Sequence, residues 1–99
     1  MSKQTTGKRR DDMYEAILQL KDLQECKDYF EDLCAISELV SMEQRFEVAK
    51  MLHENKVYTE IMAKTNVSTA TISRVNRMLN YGTGCLETIL DRMENEEEA

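Results

Sequence analysis

Proline and tryptophan are absent from the 99-residue chain, and glycine occurs only three times. Because proline and glycine mark turns and end helices, their scarcity favours a chain that is mostly helical. No stretch alternates apolar and polar residues between turn residues, as a half-buried strand would. The sequence therefore predicts an all-α fold, and its length is that of a single domain.

Cysteine and histidine are too few to indicate a catalytic or metal site. The three cysteines, Cys26, Cys34 and Cys85, form no Cys-x-x-Cys pair, which argues against a disulfide framework or a zinc site. His53 is the single histidine, and a Cys and His pair cannot be inferred from sequence alone. We therefore expect no enzyme activity, no metal and no cofactor, in a protein of the reducing cytoplasm.

Long apolar runs are missing as well. No run approaches the roughly 18 residues of a membrane-spanning helix. Residues 1–10 carry four cations with no hydrophobic segment behind them, so we expect neither a membrane span nor a signal peptide. These ten residues also lack apolar periodicity and are predicted to form a disordered basic arm.

The net charge of −6 is distributed unevenly along the chain. Residues 1–10 carry +4, residues 11–43 carry −8, residues 44–80 carry +3 and residues 81–99 carry −5. A positive segment between two acidic ones is typical of a DNA-contacting face whose acidic helices point elsewhere. An ordinary solvated surface gives the same pattern, and the acidic segments also fit a helical protein-protein interaction module that binds no DNA.

Apolar spacing predicts where the first helices lie. A helix is expected from about Met13 to Glu25, with Asp12 and Glu15 as a capping box. A short second helix is predicted over residues 29–34, and Ser37 is expected to cap a third. The third helix is expected to end at Asn55.

The carboxyl-terminal part contains a further stop signal and a further helix. Gly82 is expected to end one helix, because glycine commonly follows the last helical residue. A final amphipathic helix then carries Leu86, Ile89, Leu90 and Met93. Residues 94–99 are predicted to be a frayed acidic tail.

Residues 58–80 contain two short helical patterns separated by a polar turn, which indicates a helix-turn-helix. Asn66 lies where the turn needs a left-handed residue, and asparagine tolerates that conformation better than other non-glycine residues. Ser68 or Thr69 then supplies the N-cap of the second helix. The inner positions of the motif are predicted to be Met62, Ile72 and Val75.

The outward positions of the second helix carry hydroxyls, a methyl group and two guanidinium groups. These positions are Thr69, Ala70, Thr71, Ser73, Arg74 and Arg77. In the major groove, hydroxyls donate or accept, methyl groups contact thymine, and arginine reaches guanine or phosphate. We therefore predict that this face binds double-stranded DNA. The alternative is a plain helical hairpin in which serine and threonine only cap and turn.

Apolar positions in the flanking helices predict an obligate homodimer. They are Met13, Ile17, Leu20, Tyr29, Phe30, Leu33, Leu86, Ile89 and Leu90. Helices that only covered the helix-turn-helix would not need so many apolar positions.

Four segments resemble the Trp repressor superfamily, and within it the YerC/YecD branch most closely. They are residues 44–52, 60–61, 68–75 and 81–82, and the block Ala-Thr-Ile-Ser-Arg is the most specific. The resemblance implies one six-helix domain over residues 11–93. Its first, second, third and sixth helices would interlock with a second copy, while the fourth and fifth form a DNA-reading head. It also implies a DNA-binding transcriptional regulator.

The same resemblance implies an effector site. Arg45 and Arg74 match two arginines that flank the bound tryptophan in the Trp repressor. Two guanidinium planes could enclose a flat ring and pair with a carboxylate. Alternatively, Arg45 pairs with Glu38 or Glu47 on its own helix and Arg74 contacts phosphate.

Three departures from the Trp repressor argue against tryptophan as the effector. Ala35 replaces a threonine beside the ligand, so that one hydroxyl is lost. Val75 replaces a glycine and would intrude on the space of the indole ring. Met78 replaces a nearby serine. The effector is therefore left unassigned, with Arg45 and Arg74 as the residues that would hold an anionic or aromatic one.

Overall fold

The computed structural model describes residues 10–98, and this range contains six helices and no strand. The helices are α1 (Asp11–Ile17), α2 (Leu23–Leu33), α3 (Ile36–His53), α4 (Tyr58–Thr65), α5 (Thr69–Tyr81) and α6 (Cys85–Glu98). The all-α prediction is confirmed. The predicted basic arm lies outside the described residues except for Arg10, which is exposed. None of the described helices has the length and apolar composition needed to cross a membrane.

The chain divides into two units, Met1–Leu39 and Val40–Ala99. In the first unit, the prediction of one helix from Met13 to Glu25 is wrong, because a break separates α1 from α2. The cause is local. Asp22 Oδ1 accepts a hydrogen bond from the Glu25 N–H at 2.9 Å, and Glu25 Oε1 accepts from the Lys21 N–H at 3.0 Å. These two capping hydrogen bonds start a new helix, α2.

The start of α1 also differs from the prediction. Its N-cap is Arg10, which makes no side-chain capping hydrogen bond, so the predicted capping box of Asp12 and Glu15 is wrong. Two acidic residues in the first turn, Asp11 and Asp12, still stabilise the helix, because their negative charges attract the positive end of its dipole.

Neither α1 nor α2 contains a buried residue. Within this unit, the Tyr29 hydroxyl donates to the Met13 carbonyl oxygen at 3.2 Å, and the Tyr29 and Phe30 rings meet edge to face at 5.5 Å. Large apolar side chains nevertheless remain exposed in this part of the chain: Met13, Tyr14, Leu18, Leu23, Leu33 and Ile36. A single copy of the chain therefore leaves these apolar surfaces in contact with water.

Helix α3 begins at Ile36, ahead of the predicted cap Ser37. Instead, Glu38 Oε1 accepts from the Ala35 N–H at 2.7 Å. At the other end, Asn55 has φ of 64° and its N–H donates to the Leu52 carbonyl at 3.0 Å. The Lys56 N–H donates to the Met51 carbonyl, also at 3.0 Å, which completes a Schellman motif. The predicted end of this helix near Asn55 is confirmed.

The second unit contains the hydrophobic core, which draws residues from α3, α4, α5 and α6. The buried residues are Val48, Ala49, Met51, Ile61, Ile72, Val75, Leu79 and Leu90. Two expectations are corrected. Met62 is 38% exposed, and Ile61 is the buried residue of α4 because successive helical residues differ by about 100° in direction. Leu90, assigned above to the dimer surface, is buried within its own chain.

Helix α6 continues to Glu98, so the predicted frayed tail from Glu94 is wrong for residues 94–98. Glutamate is a good helix former, which outweighs the repulsion between neighbouring carboxylates. Glu94 also lies 3.6 Å from the imidazole of His53, which fixes the helix at this point.

Candidate nucleic-acid interface

Helices α4 and α5 are joined by a three-residue turn, residues 66–68. Asn66 adopts the left-handed conformation with φ 60° and ψ 29°, and its N–H donates to the Met62 carbonyl at 2.9 Å. The Thr65 hydroxyl donates to the Ile61 carbonyl at 2.7 Å. The predicted left-handed turn residue is confirmed, and the backbone at this position redirects the chain from one helix to the next.

Ser68 is the N-cap of α5. Its Oγ accepts from the Thr71 N–H at 3.2 Å and lies 3.2 Å from the Thr71 hydroxyl. Of the two predicted caps, Ser68 rather than Thr69 takes this role. Thr71 is half-buried and engaged in the cap, so its hydroxyl is less available to a ligand than the sequence predicted.

The remaining predicted contact residues form one exposed face of α5. Thr69, Ala70, Ser73, Arg74 and Arg77 are all exposed, whereas Ile72, Val75 and Leu79 point into the core. Helix α5 contains no acidic residue. Among residues 10–98, neither arginine of this face forms an ion pair or a side-chain hydrogen bond. Both guanidinium groups are therefore available to an external anion.

The two arginines predicted to hold an effector lie on different helices. Arg45 is exposed on α3, and its Nη1 donates to Ser41 Oγ at 3.2 Å. In the described part of the chain, Arg45 has no ion pair with Glu38 or Glu47, so the alternative pairing is not observed. This hydrogen bond lies within α3 and does not involve Arg74.

Residues around the predicted effector position have different environments. Val75 is only 2% exposed and is part of the core, whereas Met78 is 50% exposed. Ala35 is exposed at the start of α3, where its N–H is capped by Glu38. The Val75 side chain is therefore packed in the hydrophobic core of the chain itself.

Sequence reasoning missed one polar group, which we call the His53 cluster: His53, Asp91 and Glu94. His53 Nε2 lies 2.9 Å from Asp91 Oδ1 and 3.6 Å from Glu94 Oε1. The spacing of Asp91 and Glu94 places both on one face of α6, and this signal is readable from sequence. The approach of His53 to Asp91, 38 residues away along the chain, is not readable from sequence.

A family model described as Trp repressor protein matches residues 8–94 of the chain. The chain belongs to the Trp repressor family. It is 52% identical over 91 residues to the uncharacterized protein YerC of Bacillus subtilis strain 168, covering 92% of this chain and 88% of that protein.

Two solved structures of this family share the fold. A TrpR-like protein from Eubacterium eligens has a TM-score of 0.81 and 54% identity, over 85% of this chain and 87% of that one. A candidate Trp repressor from Staphylococcus aureus has a TM-score of 0.80 and 44% identity, over 85% and 84% of the two chains. The resemblance read from the sequence is confirmed, and so is the Trp repressor-like fold. Members of the family are transcription regulators rather than enzymes.

Proposed function

We propose that this protein is a sequence-specific DNA-binding regulator of transcription that acts in the cytoplasm as a homodimer. Residues 58–81 act as a helix-turn-helix, and the exposed face of α5 enters the major groove. The observation that carries the proposal is the acid-free face with two arginines unpaired in the described chain, Arg74 and Arg77. Its short side chains at Thr69, Ala70 and Ser73 allow close approach to base edges.

The exposed apolar surfaces of α1 to α3 support the homodimer. Leu18, Leu23 and Ile36 are 82%, 73% and 66% exposed in the single chain. Exposed apolar groups in such number are typical of a surface that another chain covers. A second copy would cover them and would present two α5 helices, which predicts a palindromic site with half-sites about 34 Å apart.

We expect substitution of either arginine to weaken DNA binding without unfolding the protein. Arg74→Ala and Arg77→Ala each remove a cation that contacts phosphate or guanine, which costs about 1 to 3 kcal/mol of binding free energy. Fluorescence anisotropy with fragments selected from genomic DNA measures the affinity, and repeating it across salt concentrations measures the number of phosphate contacts. Arg92→Ala is the matched control, because Arg92 is an exposed arginine on α6.

The control distinguishes the loss of a local DNA contact from the effect of a more negative net charge. Arg92→Ala alters the net charge as the two test variants do, so it should leave the affinity close to that of the wild type. Thermal unfolding should be nearly the same for all four proteins. Folded Arg74→Ala and Arg77→Ala variants that bind as tightly as the wild type would show that this face does not contact DNA, and would favour an interaction module.

The effector, if the protein uses one, is proposed to be a small anionic or aromatic molecule held by Arg45 and Arg74. L-tryptophan is not expected to serve, because Val75 is buried where a glycine would leave room. Isothermal titration calorimetry with L-tryptophan should give no saturable heat. Saturable micromolar binding that disappears in Arg45→Ala would instead place tryptophan at these arginines.

A further inference from the structure

The His53 cluster holds two carboxylates against one imidazole. A neutral imidazole has one N–H, so its Nε2 can donate to Asp91 or to Glu94 but not fully to both. In the described part of the chain, neither carboxylate has another ion-pair partner. One oxygen of each carboxylate and one imidazole nitrogen of His53 all lie within 4.8 Å of one another. The two negative charges are therefore close together and only partly compensated.

Two of the three separations within the His53 cluster are close to those between metal ligands. Donor atoms bound at about 2.0–2.1 Å around a tetrahedral ion lie roughly 3.3 Å apart. The observed separations of 2.9 Å and 3.6 Å from Nε2 lie on either side of that value. Imidazole nitrogen and carboxylate oxygens are ligands that Zn²⁺ accepts. The two carboxylate oxygens lie within 4.8 Å of each other, so rotation of these exposed side chains would bring all three donors to one ion.

The backbone holds the cluster in place from both sides. His53 is the last residue of α3, within the Schellman motif that ends this helix, and its side chain is 12% exposed. Asp91 and Glu94 are 60% and 42% exposed, so an ion can enter from solvent. Asp91 follows Leu90, which is anchored in the core. Helix α6 carries a net charge of −5, which attracts cations.

We propose that His53, Asp91 and Glu94 form a binding site for a divalent transition metal such as Zn²⁺, with water as the fourth ligand. On binding, the imidazole proton moves from Nε2 to Nδ1, and the Nε2 lone pair replaces the hydrogen bond to Asp91 with a bond to the metal. The ion joins the end of α3 to α6 and stabilises the second unit. This site does not depend on the proposed DNA binding.

Zinc titration of the full-length, tag-free protein tests the site without DNA. Calorimetry should show one Zn²⁺ per chain, and saturating Zn²⁺ should raise Tm by about 5 °C or more. Asp91→Asn keeps an oxygen that accepts a hydrogen bond from His53 but is a much poorer ligand, so the rise should be lost. Glu94→Gln should behave in the same way. Glu96→Gln, a change at an exposed acid of the same helix, should keep the full rise.

The three free cysteines, Cys26, Cys34 and Cys85, provide the competing zinc ligands. Cobalt distinguishes them, because a thiolate ligand adds a strong charge-transfer band that nitrogen and oxygen ligands lack. We expect Co²⁺ binding without that band, and unchanged zinc binding when all three cysteines are replaced by serine. An equal Tm rise in wild type and Asp91→Asn, no rise in either, or loss of zinc binding on cysteine replacement would overturn the proposal.

Discussion

Ile72→Ala is expected to lower the free energy of unfolding by about 2 to 5 kcal/mol. The side chain is fully buried on the inner face of α5, in the core that also contains Ile61 of α4 and Val75. Truncation removes three carbon atoms and leaves a cavity, because a packed core relaxes only partly around a lost side chain. Urea unfolding followed by circular dichroism measures the change, at one protein concentration because a dimer's stability depends on concentration.

Thr69→Ala is the matched control for this substitution. Thr69 is exposed in the first turn of the same helix, so loss of its hydroxyl and methyl groups should change the free energy of unfolding by less than about 0.5 kcal/mol. The two variants should also differ in DNA binding. Ile72→Ala should lose affinity only in proportion to the unfolded fraction, whereas Thr69→Ala should bind less tightly while fully folded. Equal stability of Ile72→Ala and wild type would contradict the burial of Ile72.

Leu33→Glu is expected to dissociate the proposed homodimer, weakening the affinity between its two chains by at least about 100-fold. Leu33 is 53% exposed at the end of α2 in a single chain. If a second copy covers it, the new carboxylate is buried without a partner in both protomers, which costs about 3 to 5 kcal/mol. Sedimentation at micromolar concentration should show a wild-type mass near twice 11.5 kDa and a smaller or unfolded variant.

Gln24→Glu controls for the added charge, since Gln24 is an exposed polar residue of the same helix. It changes the net charge as Leu33→Glu does, but it should leave the dimer intact. The new carboxylate replaces the 3.0 Å hydrogen bond from Gln24 Nε2 to Asp28 Oδ1 with a repulsion, and each of these exposed i,i+4 interactions contributes only a few tenths of a kcal/mol. A wild-type protein that is monomeric and folded at micromolar concentration, or a dimeric Leu33→Glu variant, would contradict the interlocked homodimer.

Helices α4 and α5 could be predicted from the sequence because their signals are local. Ser68 caps the helix that it precedes, Asn66 takes the left-handed turn, and Ile72 and Val75 repeat at helical spacing. Gly82 also ends α5 as predicted, and a Cβ there would lie 2.5 Å from the Met78 carbonyl oxygen. Such features depend on residues within one or two turns of each other.

Prediction from sequence was wrong where two local signals competed, or where a residue contacts another one far away along the chain. Apolar residues run on from Met13 past Leu20, which favoured one helix, but the stronger cap at Asp22 starts another. The burial of Leu90 and the approach of His53 to α6 depend on how α3 and α6 pack, which apolar periodicity does not encode. Acidic composition alone likewise suggested an unravelled end for α6.

The left-handed conformation of Asn66 means that a backbone angle, and not a particular side chain, sets the direction in which α5 leaves the turn. Glycine adopts this angle without steric cost but has more freedom to lose on folding, while asparagine pays some strain and loses less entropy. The two effects partly offset each other, so either residue supports the same turn. Pattern searches that require glycine at this point would overlook chains such as this one, in which asparagine adopts the left-handed conformation that the turn needs.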